Sequence, residues 1–169
     1  PAAKSGGSAA IDVGGVALRD ATVGWRDESS GTRVQALGLA LSGGRIANDT
    51  PARIQASARL VGTQPKMAAN VVIRAGFRVN FATSAVALDG IEAELKGDLP
   101  GLAGLDATLK GAASLDPLAR QLTVAGVELN AKYADGTIRA KLADARGSGA
   151  LIELPDLALD LNLRSGGLA

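Results

Sequence analysis

The sequence predicts an all-β protein: a long, curved antiparallel meander sheet with one apolar concave face, a groove or half-barrel, and little helix. Three observations point there. Apolar and polar residues alternate with a period of two over most of the chain, which puts one kind on each face of a strand. At intervals two residues break the alternation and it resumes on the opposite parity, as a bulge or bend would require. Short clusters of Gly, Pro, Asp and Ser separate the runs, so chain neighbours pair as hairpins, about nine strands in all.

The broken alternation is written five times. It occurs at Val13-(Gly14-Gly15)-Val16-x-Leu18 and at Val34-(Gln35-Ala36)-Leu37-x-Leu39-x-Leu41. It recurs at Val86-x-Leu88-(Asp89-Gly90)-Ile91-x-Ala93-x-Leu95 and at Leu122-x-Val124-(Ala125-Gly126)-Val127-x-Leu129. The last copy is Ile152-x-Leu154-(Pro155-Asp156)-Leu157-x-Leu159-x-Leu161-x-Leu163. Gly or Pro often sits at the break, where a strand accepts them.

Residues 1–10 are small and polar and read as a disordered linker; 11–165 is the β-rich segment and 166–169 a tail. Thr22 to Arg26 puts Val23 and Trp25 on one face. Asp27-Glu28-Ser29-Ser30-Gly31 is a hairpin turn and Val34 to Leu41 the return strand. Ser42-Gly43-Gly44 turns again, and Ile54 to Leu60 alternates at even positions. Ala69 to Phe81 is the clearest strand. Its apolar parity from Val71 spans about 33 Å at ~3.3 Å per residue. Leu99, Leu102, Leu105 and Leu109 also suit a helical stripe. Gly101, Gly104 and Gly111 disfavour a helix by roughly 1 kcal/mol each, so a strand is expected from Gly104 onward after a loop. Turns at Asp116-Pro117 and Asp135-Gly136 divide the remaining strands.

The chain of 169 residues is about one domain's worth and is 47% hydrophobic. That apolar mass is Ala, Leu, Val and Ile, with only Trp25, Phe77, Phe81 and Tyr133 aromatic. It suits a smooth aliphatic lining better than a protein interface, which favours Tyr, Trp and Arg. With no Cys and no His, thiolate and imidazole nucleophiles, disulfides and zinc sites with sulfur or nitrogen ligands are excluded. A net charge of +1 speaks against nucleic acid as a partner. The chain begins Pro-Ala-Ala-Lys and reads as a slice of a longer protein, with any anchor or targeting signal outside it. No apolar stretch reaches the ~20 residues of a membrane helix.

No phosphate-binding loop or metal-ligand spacing occurs, and no cofactor is expected. Gly43-Gly44 and Gly147-Ser148-Gly149 read as turns or bends. Asp27 with Glu28, and Asp89 with Glu92 and Glu94, read as a solvated face rather than an acid–base pair. Asn48-Asp49-Thr50 matches the glycosylation triplet, a short match that arises often by chance. Arg74 and Arg78 share a polar face with Asn70 and Asn80 and keep it wet, with anionic head-group contact the weaker alternative. An outer-membrane barrel would need aromatic girdles that four aromatics cannot supply. What remains is surface. The expected apolar lining comprises Leu37, Leu39 and Leu41; Val71, Ile73, Phe77 and Val79; Leu88, Ile91 and Leu95; and Leu129, Leu159 and Leu161.

The stretch Ile11-Asp12-Val13-Gly14-Gly15-Val16-Ala17-Leu18-Arg19-Asp20-Ala21-Thr22-Val23-Gly24-Trp25-Arg26-Asp27, followed by Ser30-Gly31, resembles the strand-and-hairpin motif D-A-x-V-x-W-x-D-x-x-S/T-G of the AsmA family of Gram-negative envelope proteins. Leu109-Lys110-Gly111, Leu115-Asp116 and Leu122-Thr123-Val124-Ala125-Gly126-Val127-Glu128-Leu129 add to it. The resemblance covers Ile11 to about Leu163. It implies an internal periplasmic segment of a protein anchored in the inner membrane. Members are associated with outer-membrane biogenesis and phospholipid homeostasis, and are grouped with bridge-like lipid-transfer proteins whose curved sheets hold acyl chains. It supplies no catalytic residues. The expected partners are phospholipid acyl chains, other segments of the parent chain and envelope proteins. The expected function is a lipid-binding, lipid-transfer groove rather than an enzyme. The alternative is a structural or assembly module whose apolar face is closed by a second sheet or a partner chain.

Overall fold

The computed structural model describes residues 12–148, 151–153 and 156–163; the expected linker 1–10 and tail 166–169 lie outside them. The strands in chain order are β1 (Asp12–Val13), β2 (Val16–Asp27), β3 (Thr32–Gly43), β4 (Ile46–Ala47), β5 (Ala52–Gln64) and β6 (Lys66–Asn80). They continue with β7 (Ala85–Leu99), β8 (Leu102–Asp116), β9 (Gln121–Tyr133), β10 (Gly136–Ser148), β11 (Leu151–Glu153) and β12 (Leu157–Leu163). No helix occurs among the described residues. Strands β2, β3, β5, β6, β7, β8, β9 and β10 lie side by side in that order, and β11 and β12 both pair with β10. The main sheet is therefore nine ribbons wide, antiparallel throughout and open, with its last ribbon interrupted. β1 and β4 form a separate two-stranded sheet.

Short polar side chains at strand ends make the hairpins. Asp27 accepts hydrogen bonds from the Ser29 amide (2.9 Å) and from the Ser29 and Ser30 hydroxyls (2.7 Å each). Asn80 accepts from the amides of Ala82 and Thr83 at 3.0 and 3.1 Å. Asp116 accepts from the Ala119 amide at 2.9 Å. In each case a side-chain acceptor takes an amide that the turn removes from the ladder.

The predicted breaks can be read off the ladders. Gly14 and Gly15 separate β1 from β2, so the main sheet and the small one part there. Asp89-Gly90 and Ala125-Gly126 are bulges, with Gly90 at φ 55° and Gly126 at φ 59°. An extra residue with positive φ lets the strand resume with its apolar side chains on the same face, and glycine takes that φ without strain. Leu154 and Pro155 lie outside the described residues, and Asp156 sits between β11 and β12.

Two expectations are corrected. Gln35 and Ala36 are in regular register with Gly24 and Val23, and the reset on β3 falls instead at Gly38, at φ 59°. Glycine sat in an "x" position of the alternation, where the pattern gave it no weight. The expected loop before Gly104 is absent. β8 starts at Leu102 after a two-residue turn, because Asp98 accepts the Gly104 amide (2.8 Å) and Gly101 takes φ 75°.

The sheet is one layer thick. Among the described residues the buried apolar side chains are Ala69, Ala75, Leu105 and Ala145, and no polar residue is buried. Three of the four are alanines, which fits a sheet with no second layer upon it among the described residues.

Candidate functional site: an uncovered apolar face

Directly paired residues share a face, so the register shows what each face carries. One row crosses all nine ribbons: Leu18, Leu41, Ala56, Ile73, Ala93, Leu109, Leu129, Ala140 and Leu159. A second runs from Ala21 and Leu39, past the bulge at Gly38, through Ala58, Val71, Leu95, Ala107, Ala131 and Ile138 to Leu161. A third holds Val16, Gly43, Ile54 and Ala75, then beyond the bulge Ile91, Gly111, Val127, Leu142 and Leu157. None of these positions is polar.

The face is open as well as apolar. Ile73, at its centre, is 40% exposed; Leu157, Leu159 and Leu161 at one edge are 62, 60 and 54% exposed, and Trp25 at the other edge is 59% exposed. The three rows extend about 38 Å across nine ribbons at ~4.8 Å spacing and about 13 Å along the strands, roughly 500 Å², and Phe77 with Leu88 and Val79 with Val86 continue the face beyond them. A monomer's largest apolar patch is usually ~300–600 Å² and is often functional.

Of the expected lining, Leu41, Ile73, Leu129 and Leu159 stand in the first row, Leu39, Val71, Leu95 and Leu161 in the second, and Ile91 in the third. Phe77 pairs with Leu88, and Val79 with Val86, on the same face nearer one end. Leu37 does not join them: it pairs with Arg59 in the polar rows, because the reset comes one residue after it. Sequence reasoning left out Leu18, Leu109, Ile138, Leu142 and Leu157, which occupy these rows. Their alternation carried the signal, but cross-strand register is needed to align them with the rest.

The opposite face is a ladder of ion pairs in its β6–β10 half. Arg74, Glu92, Lys110, Glu128 and Lys141 are successive partners across five strands. Lys110 meets Glu92 at 3.6 Å, Lys141 meets Glu128 at 2.9 Å, and Arg74 reaches Glu94 diagonally at 3.1 Å. The Lys141 ammonium holds the Glu128 carboxyl below the usual carboxylate range. Lys96 with Asp106 (3.4 Å) forms a neighbouring rung. Glu92 and Glu94 are thus cross-strand partners of cations. Concavities of about 800 Å³ beside Ser42, Gln55, Arg53 and Arg74, and of about 420 Å³ beside Asp106, Lys132 and Asn162, are on this polar face.

The remaining candidates have structural roles. The Asn48 side-chain oxygen accepts the Phe81 amide at 2.7 Å and ties the β4–β5 connection to the β6–β7 turn. Asp12 and Arg45 form a two-pronged pair that joins the small sheet's strands; the guanidinium lowers the Asp12 pKa. Hydrogen bonds from the Ser29 and Ser30 hydroxyls and their amides bring the Asp27 pKa down to about 2. Among the described residues no group of three or more His, Cys, Asp or Glu could hold a metal ion. No protein-family model, curated protein or solved structure matches the chain.

Proposed function

We propose that this segment holds phospholipid acyl chains against its apolar face as part of a lipid-binding, lipid-transfer groove, and does no covalent chemistry on them. The observation that carries the reading is the uncovered, unbroken apolar surface across nine ribbons. An aliphatic, aromatic-poor surface grips flexible chains by area, at about 0.8 kcal/mol per buried methylene whatever the head group. The resemblance to the AsmA family supports the setting: a periplasmic segment of a parent anchored in the inner membrane, acting in outer-membrane biogenesis and phospholipid homeostasis beside other segments of that parent and envelope proteins.

Photo-crosslinkers at positions 73, 91 and 159 test the reading against positions 74 and 160 on the polar face. Lipid captured from the first set alone is the expected result. Equal capture from both sets, or capture of a second sheet or a partner chain in place of lipid, moves the assignment to a structural or assembly module of the cell envelope.

A further inference from the structure

The net charge of +1 conceals an uneven distribution. Strands β3, β5 and β6 carry Arg33, Arg53, Arg59, Lys66, Arg74 and Arg78 and no acidic residue. Alternation and register put all six on the polar face. On β7–β10, five of the six strand cations, Lys96, Lys110, Arg139, Lys141 and Arg146, each meet a carboxylate within 4.0 Å, and Lys132 does not among the described residues. Of the six cations on β3, β5 and β6, only Arg74 does so among the described residues. One register position opposes the ladder: Arg26 and Arg33 are direct cross-strand partners, like charges that destabilise a sheet, and Glu28 lies 3.5 Å from Arg26 but pairs with no group on β3 among the described residues. Cations placed for the sheet's own stability would mostly have partners, as five of six do a few strands away.

We propose that the polar face of β3, β5 and β6 docks on a bilayer surface bearing anionic phospholipid head groups. Five of the six cations are arginines, whose planar fork matches phosphate oxygens in pairs. They are spread over strands of 12 to 15 residues, a long stripe suited to an array of phosphates. None of the four aromatics lies on this face of the three strands, so it lacks the anchors a protein partner would use. The inference concerns the face opposite the acyl-binding rows and does not rest on acyl capture.

The test is co-sedimentation of the chain with phosphatidylglycerol-containing vesicles and with pure phosphatidylcholine vesicles across a salt series. Binding is expected only to the anionic vesicles and should fall steeply as salt is raised. Each neutralised cation should weaken it about five-fold, and Arg53→Gln, Arg59→Gln and Arg78→Gln together roughly a hundred-fold. The paired control Arg139→Gln should change it little. Far-UV circular dichroism checks that each variant is folded. Wild-type binding by a folded triple variant, equal loss in the control, or equal binding to phosphatidylcholine overturns the proposal. So does release from the vesicles by an acidic polypeptide at concentrations where free phosphatidylglycerol head group is inert. Acyl capture at position 73, read in detergent-dispersed lipid, reports separately on the apolar face.

Discussion

At the scale of single residues, the turns and bulges depend on a few side chains. Asp27 is ionised well below the ordinary carboxylate pKa because Ser29 and Ser30 donate to it. Its folded pKa is depressed, so its contribution to stability is complete above the unfolded value near ~4. That contribution is lost as pH falls through about 2. Urea midpoints measured from pH 5 to pH 2 should therefore fall more in the wild type than in Asp27→Asn; parallel curves would refute the role. Gly97 is a second such point, with φ 143° and no room for a Cβ against the Ala68 carbonyl oxygen. Gly97→Ala should destabilise by more than ~1 kcal/mol, read as a lowered urea midpoint, although the sequence shows only a glycine among many. The Asp27 turn was legible as a cluster of turn formers; the close approach at Gly97 depends on a strand distant in sequence.

At the scale of elements, the two faces should respond oppositely to charge. Asp placed at Val71, in the middle of an apolar row, should lower stability by ~1–3 kcal/mol. Asp in place of Asn162 on the polar face should change it little. Leu37 and Leu39 make a closer comparison. The alternation put both on the apolar face, whereas the reset at Gly38 sends Leu37 to the side of Arg59. Leu39→Asp should be the more damaging in thermal melts, and equal damage would mean that the reset is misplaced. The ion-pair ladder predicts a coupling of ~0.2–1 kcal/mol between Glu128 and Lys141 in a double-mutant cycle, shrinking as salt is raised. The sequence showed these charges only as members of polar faces. Which carboxylate meets which ammonium depends on register, and register is set by bulges and turns that accumulate from strand to strand.

At the scale of the whole molecule, a single open layer leaves its apolar rows in contact with water, so the chain should acquire apolar ligands readily. Occupancy by single-chain lipids, measured by native mass spectrometry, should rise about four-fold per added methylene, from ~0.8 kcal/mol each. It should vary little with head group or salt. Occupancy independent of chain length would show that area is not what binds. The sequence by itself determined the all-β class, the antiparallel meander, the hairpin turns and the existence of one aliphatic face, because alternation and turn chemistry are local and each is encoded within a few residues. Only the tertiary structure decided that Leu37 lies apart from Leu39. It also decided that Leu18 through Leu159 form one unbroken row, that no second layer covers that row among the described residues, and that of the six cations on β3, β5 and β6 only Arg74 meets a carboxylate among those residues. Each of these is a relation between strands distant in the chain, and a one-residue change of register would have altered it without altering the alternation.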